Sequence, residues 1–236
     1  MTKPYVLHYA PDNASLIIRL ALNEMDVPFD PCLVDRAASA QKSEAYRRLN
    51  PNGLIPVLET PDGPLFETAA ILLWLIDRHA MLGPQADDPR RGRFLSWLFF
   101  VSNTLHPALR MLFYTSTYIG SDERELAQLS AVTAREALRI FDMLDTEAGR
   151  DQAAFGSEDV SALDFYVAAC MRWVQLYPKG APHCGIFASE NWPNLHQMAA
   201  HLESRQSVAD WCRSEGVGSA PFTKPDYPNP PEGSAL

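Results

Sequence analysis

Apolar and polar positions follow two different rhythms along the chain. Through the first 80 residues, short β-prone runs alternate with helical ones. Tyr5 to Tyr9 predicts a brief strand, stopped by Pro11-Asp12-Asn13. From Ser15, the residues Leu16, Ile17, Leu20 and Ala21 recur at helical spacing. Pro28 to Val34 predicts a second strand, completing a compact β-α-β unit. Ser43 to Leu49 predicts a short helix ended by the turn cluster Asn50-Pro51-Asn52-Gly53. Ile55 to Glu59 predicts a third strand, and Pro61-Asp62-Gly63 turns the chain into a fourth at Leu65-Phe66. Thr68 to His79 is apolar on most faces, as a helix packed between layers must be.

After Gly83-Pro84 the rhythm changes. Phe94, Trp97, Leu98, Val101, Leu105, Leu109 and Leu112 hold a helical period and predict one long helix. Leu126, Leu129, Thr133, Ala137, Ile140, Phe141 and Leu144 predict a second. No strand signal of comparable strength follows. Met81 to Pro89 is the best linker, and Gly216 to Leu236 holds five of the 19 prolines with little periodicity. The pattern thus predicts a small α/β domain over residues 1–81 and an all-helical domain over 88–215. A proline-rich tail, surface-hugging or disordered, follows over 216–236.

Composition narrows the classes without changing this outline. The 236 residues suffice for one large domain or two small ones. An apolar content of 47% against 21% charged is that of an ordinary globular protein. The net charge of −9 repels a phosphate backbone, so nucleic acid is excluded as a partner. The apolar runs Ala69 to Ile76 and Trp97 to Val101 fall far short of the ~20 residues that span a bilayer. No apolar signal segment follows the lysine of MTKPYVLHYAPD, so no membrane or secretory role is expected. Cys32, Cys170, Cys184 and Cys212 lie far apart, without metal-ligand spacing, and read as reduced thiols in the cytoplasm.

Three local features are more specific than this outline. In Asn50-Pro51-Asn52-Gly53-Leu54-Ile55-Pro56-Val57-Leu58, Pro56 interrupts a buried strand run. It is either an ordinary edge proline or part of a cis Ile55–Pro56 bond, which turns the Ile55 backbone outward toward an extended ligand. In Phe66-Glu67-Thr68, an acid and a hydroxyl open the buried helix. They are either a plain cap or, with the open N–H groups there, a site for a ligand carboxylate and ammonium. In Val160-Ser161-Ala162-Leu163-Asp164-Phe165, Ser161 and Asp164 have capping-box spacing and Val160 and Phe165 staple spacing, a structural start for a core helix.

Together these features resemble the cytosolic glutathione transferase family, in particular its bacterial beta-like or related serine-type branch. The match runs to about residue 214. The resemblance implies a thioredoxin-like N-terminal domain followed by an all-helical C-terminal one. It implies that Ile55 pairs with the glutathione backbone, and that Glu67 and Thr68 hold the γ-glutamyl ammonium and carboxylate. Lys42 stands where many relatives have a base for the glycyl carboxylate, and His106 matches a beta-class histidine facing glutathione. The plain readings of these two are a solvated lysine and a satisfied core histidine.

A glutathione thiol, like a free cysteine at pKa about 8.5, needs ~2.7 kcal/mol of thiolate stabilisation to titrate near 6.5. One hydroxyl at a helix start suffices. Ser15 is first choice, ahead of Tyr9 at the strand end and Asn13 in the turn; its plain reading is an N-cap. Beta-class members typically have cysteine one place earlier, where this chain has Ala14, and Cys32 is a poor substitute. The expectation is a glutathione transferase adding the thiol to an electrophilic, apolar small molecule, with glutathione as co-substrate, no metal, and a homodimeric assembly. Trp97, Phe100, Phe113, Tyr114 and Tyr118 are candidate pocket aromatics. Alternatives are a glutathione-dependent isomerase, ether-cleaving enzyme or peroxide reductase, or a non-catalytic binding protein on the same scaffold.

Overall fold

A computed structural model describes residues 4–234 and divides into two compact units. The first takes the chain up to Asp88, Glu203–Ser219 and the segment from Asp226. The second takes Pro89–Leu202 and Ala220–Pro225.

The first unit runs β1 (Tyr5–Tyr9), α1 (Ser15–Glu24), β2 (Phe29–Leu33), α2 (Glu44–Leu49), β3 (Val57–Thr60), β4 (Gly63–Phe66) and α3 (Thr68–His79). The sheet order is β2-β1-β3-β4, with β1 parallel to β2 and antiparallel to β3, and β3 antiparallel to β4. Both edge strands carry a proline, Pro31 and Pro64, tolerated there because one side of an edge strand needs no ladder donor. Leu7 and Tyr9 of β1, Leu16 to Leu22 of α1 and Ile71, Leu72, Leu75 and Ile76 of α3 form the buried core. This is the small α/β domain that the alternating pattern predicts, in the thioredoxin-like arrangement that the resemblance implies.

Helix α10 (Gln206–Glu215) completes this unit by packing on α1. The sequence pattern placed it with the helical domain, because chain order says nothing of its partner. That partner is a buried charge: Arg19 Nε lies 3.1 Å from Glu215 Oε1. Nor is the tail one unit. Pro221 to Thr223 pack in the second unit and Asp226 onward in the first.

The second unit is helical: α4 (Arg91–Phe100), α5 (His106–Phe113), α6 (Thr115–Ile119), α7 (Glu123–Ala148), α8 (Ala162–Leu176) and α9 (Pro193–Glu203). The single long helix expected over Phe94 to Leu112 is interrupted by a widened π turn at Val101–Leu105. Pro107 accounts for it. It has no N–H to give the carbonyl of Asn103, and its ring would strike that carbonyl in a regular helix. Helix α7 starts where Asp122 accepts from the backbone of Arg124 and Glu125, both at 3.0 Å. Helix α8 is buried on almost every face and begins with the expected capping box. The buried Asp164 carboxylate accepts from Ser161 N at 2.7 Å, Ser161 Oγ at 2.5 Å and Gly156 N at 2.6 Å. No helix among the described residues is long and apolar enough to cross a membrane, and all four cysteines are free thiols.

Candidate functional site

The strand register gathers three segments at one end of the sheet. His8 pairs with Val57, and Val57 with Phe66. The turn leaving β1, the loop entering β3 and the start of α3 therefore lie side by side.

The loop before β3 is built by Asn50. Its Nδ2 donates to Leu54 O at 2.8 Å, its Oδ1 accepts from Asn52 N at 3.0 Å, and its carbonyl accepts from Gly53 N at 2.9 Å. Gly53 is required here: its φ is +63°, and a Cβ would stand 2.8 Å from the Gln41 carbonyl. The Ile55–Pro56 bond is cis. Among the described residues, the Ile55 N–H and C=O have no hydrogen-bond partner. An extended peptide laid along this loop meets an open donor and acceptor.

Glu67 stands immediately before α3 at φ +69° and ψ +116°, a region that side-chain-bearing residues avoid. Its exposed carboxylate does not cap the helix. Thr68 is buried at the first position of α3, beside the open N–H groups of that end. The start of α3 is thus uncapped and strained, with an acid turned to solvent beside its open N–H groups. Lys42 is exposed at the end of the single-turn helix Ala40–Lys42. Its neighbour Gln41 buries an amide oxygen with no hydrogen-bond partner among the described residues. Gln41 was missed from sequence, where a glutamine in a polar loop carries no signal.

The turn after β1 sets the three candidate thiol activators in different surroundings. Ser15 is fully buried. Its hydroxyl donates to Ala10 O at 3.1 Å and accepts from Ala10 N at 3.2 Å, a closed pair that ties the turn to itself. Tyr9 is 3% exposed, and its hydroxyl donates to Glu232 at 2.5 Å. Burial and the Glu232 carboxylate push this phenol up to about 12, away from any role as a base. Asn13 is half-exposed at the mouth of α1. Its Oδ1 accepts from Ala14 N at 2.9 Å, which fixes the amide plane, and its Nδ2 has no partner among the described residues. Cys32 sits in β2, where burial, with the Glu59 carboxylate adding, raises its thiol.

His106 lies in the second unit, directly after the π turn. Its Nδ1 is 2.8 Å from the Tyr166 hydroxyl, and its ring lies tilted against Trp173. Burial, with Arg110 adding, pushes the imidazole down to about 4 and keeps it neutral. Trp97 packs edge-on against Phe100 and Phe155, and Phe113 against Tyr177, while Tyr114 and Tyr118 are exposed.

Comparison with known proteins agrees with this geometry. Residues 14–78 match the family model described as glutathione S-transferase, N-terminal domain. Glutathione S-transferase GST-4.5 of Xanthomonas campestris pv. campestris is 32% identical over 171 residues, covering 71% of this chain and 81% of that protein. The structure of a sphingomonad glutathione S-transferase complexed with glutathione superposes with a TM-score of 0.70 at 27% identity, covering 88% of this chain and 97% of that one. A maleylpyruvate isomerase of Ralstonia sp is 32% identical over 111 residues, 45% of this chain and 51% of that protein.

Proposed function

The chain belongs to the glutathione S-transferase family, and from that premise we propose that its sheet-end cradle holds glutathione and activates the thiol for attack on an electrophilic, apolar small molecule. The observation that carries this is the convergence of an open Ile55 backbone, a strained Glu67 beside the free end of α3, and a half-exposed amide at the mouth of α1.

In this reading Ile55 pairs through N–H and C=O with the cysteinyl backbone of the tripeptide. Glu67 takes the γ-glutamyl ammonium, the Thr68 hydroxyl and the first N–H groups of α3 take its carboxylate, and Lys42 takes the glycyl carboxylate. Asn13, rather than Ser15 or Tyr9, donates Nδ2–H to the sulfur. A hydrogen bond to a charged acceptor is worth ~1.5–3 kcal/mol and a helix end ~0.3–1. The sum meets the ~2.7 kcal/mol that two pKa units require. The thiol proton leaves to solvent. The thiolate then forms a bond to an electrophilic carbon, which either expels its leaving group or accepts the electron pair into an activated double bond. His106, held by Tyr166, belongs to the packing of its own unit and takes no part in this step. The reading extends to a cytoplasmic enzyme whose free thiols suit a reducing compartment, assembled as a two-fold dimer.

The likeness to the maleylpyruvate isomerase supports a second reading, in which the thiolate adds reversibly to a double bond and is returned unchanged. The two separate on whether glutathione is consumed per turnover. The primary test is isothermal titration with reduced glutathione, repeated on Glu67→Ala, followed by turnover of a chlorodinitrobenzene. Saturable binding lost in the variant, with thioether product, is the expected result. No heat at millimolar glutathione from folded protein refutes the cradle.

A further inference from the structure

The turn that carries Asn13 is tied locally by the Ser15–Ala10 pair and by the Asn13 N–H on Ala10 O. Between the end of β1 and the start of α1 it makes backbone bonds only within itself, and Asp12 stands at φ +52°. Two further anchors come from some two hundred residues later.

One anchor is the last residue of α10. Glu215, 1% exposed, accepts the Asp12 N–H through Oε2 at 2.9 Å and pairs through Oε1 with Arg19 Nε at 3.1 Å. Arg19 also donates Nη1–H to Ser214 Oγ at 3.3 Å. The other anchor is the tail. At Gly216 the chain turns so tightly that a Cβ would stand 1.9 Å from the Asn229 carbonyl, and Asn229 N–H donates to Gly216 O at 2.8 Å. This folds the tail back along the first unit. A Cβ on Gly233 would fall 2.7 Å from Leu33 and 3.3 Å from Pro11, and Glu232 receives the Tyr9 hydroxyl. Between the anchors the Arg19 guanidinium lies 4.3 Å from the centre of the Tyr9 ring. Glu232, Tyr9, Arg19, Glu215 and the Asp12 N–H thus form one unbroken chain of contacts around the residue before Asn13.

We propose that the folded-back tail, through Glu232 and the Gly216–Asn229 turn, is a positioning element for the thiol-activating turn. It holds residues 10–13 so that the Asn13 amide meets the glutathione sulfur. This rests on the assignment of thiol activation to the β1–α1 turn. Glu232 does not touch substrate; it acts through Tyr9 and the turn.

The test uses the full chain carrying Glu232→Ala, and Glu232→Ala combined with Asn229→Pro. Both side chains are exposed, and each change removes one hydrogen bond, that of Glu232 with the Tyr9 hydroxyl or that of the Asn229 N–H with Gly216 O. The readout is the ultraviolet absorbance of enzyme-bound glutathione thiolate against pH, with kcat and KM for glutathione measured across the same range. The expected result is a rise in the apparent thiol pKa of about half a unit in the single variant and about one unit in the double. A one-unit rise is a tenfold loss of thiolate well below the pKa. With a parent thiol pKa near 6.5, the kcat of the double variant then falls about threefold at pH 7 and about tenfold near pH 5 and recovers in alkali, while KM changes less than twofold because Ile55, Glu67 and Thr68 are untouched.

A thiol titration and kcat profile superimposable on those of the parent overturn the proposal. A neutral-pH rate that rises also overturns it, since the tail would then be a cover. Asn13→Ala, run alongside, separates the two claims. If it raises the thiol pKa and the tail variants do not, positioning alone fails. If the tail variants raise it and Asn13→Ala does not, the turn is positioned for its backbone N–H groups and the Asn13 assignment fails. A parent protein showing no bound thiolate refutes the function itself.

Discussion

Replacing Glu67 by glycine should improve the fold and damage the site at once. At φ +69° and ψ +116° a residue with a Cβ is strained by about 1–3 kcal/mol, and glycine is not. Against this gain stands the extra freedom of glycine in the unfolded chain, about 0.4–1 kcal/mol. The net is a stabilisation of about 1 kcal/mol, or a rise in Tm of about 2–4 °C for a chain of this size. Binding moves the other way. A carboxylate facing the γ-glutamyl ammonium contributes about 1.5–3 kcal/mol, so its loss weakens glutathione by roughly one to two orders of magnitude. Glu67→Ala supplies the control, because it removes the carboxylate and keeps the Cβ. It should lose the same affinity with no gain in Tm. Differential scanning calorimetry and glutathione titration on the three proteins give both quantities. A glycine variant no more stable than the alanine one would show that the backbone is unstrained. Full affinity in either variant would remove Glu67 from the ligand site.

Asn13→Ala should lower kcat/KM for conjugation about tenfold with glutathione KM little altered. Ser15→Ala should leave the rate within about threefold of the parent and cost about 1 kcal/mol of stability through its lost pair with Ala10; the opposite ordering in a chlorodinitrobenzene assay would return the role to Ser15. Asp164→Ala strips three hydrogen bonds from the start of α8 and should cost about 3–5 kcal/mol, read as a lowered urea midpoint at unchanged slope; an unmoved midpoint would make the capping box dispensable. His106 titrates near 4 when folded against about 6.5 when unfolded, so the unfolded chain takes up its proton first as pH falls. Its contribution is therefore complete above about 6.5 and declines toward 4. Stability of His106→Gln, compared with the parent by denaturant titration between those values, should fall less steeply; parallel curves would mean the imidazole is not held neutral.

The fold was legible because the first unit alternates period-2 and helical runs while the second keeps one period, and the cradle because Pro56 and Glu67-Thr68 interrupt those runs where structure alone does not need them. What stayed hidden depended on direction and on distant partners. Ser15 and Asn13 are two residues apart in one turn, and sequence cannot say that the first faces Ala10 and the second faces out. The break in the long helix was present in the letters, since Pro107 cannot bond to Asn103. The apolar period runs straight through it all the same, because Val101 and Leu105 stay buried across the wide turn. The attachment of α10 to α1 had no signal at all. Arg19 reads as one charge in an apolar helix and Glu215 as one among many on another, and only proximity makes them a pair. Gly216 and Gly233 likewise look like loop residues until the chain is seen lying against each of them.

The interleaving of the two units sets an order for biosynthesis. The first unit lacks α10 until residues near Glu215 have been made, and the second lacks the Pro221–Thr223 segment that meets the buried Arg172 and Ser189. At about 5–20 residues per second, roughly ten seconds or more pass between completion of the β-sheet and arrival of the strands of chain that seal either core. A nascent chain therefore emerges from the ribosome with Arg19 unpaired and the end of α8 uncovered. Each unit therefore closes only once residues beyond Leu202 have been made, the first with α10 and the segment from Asp226 and the second with Ala220–Pro225.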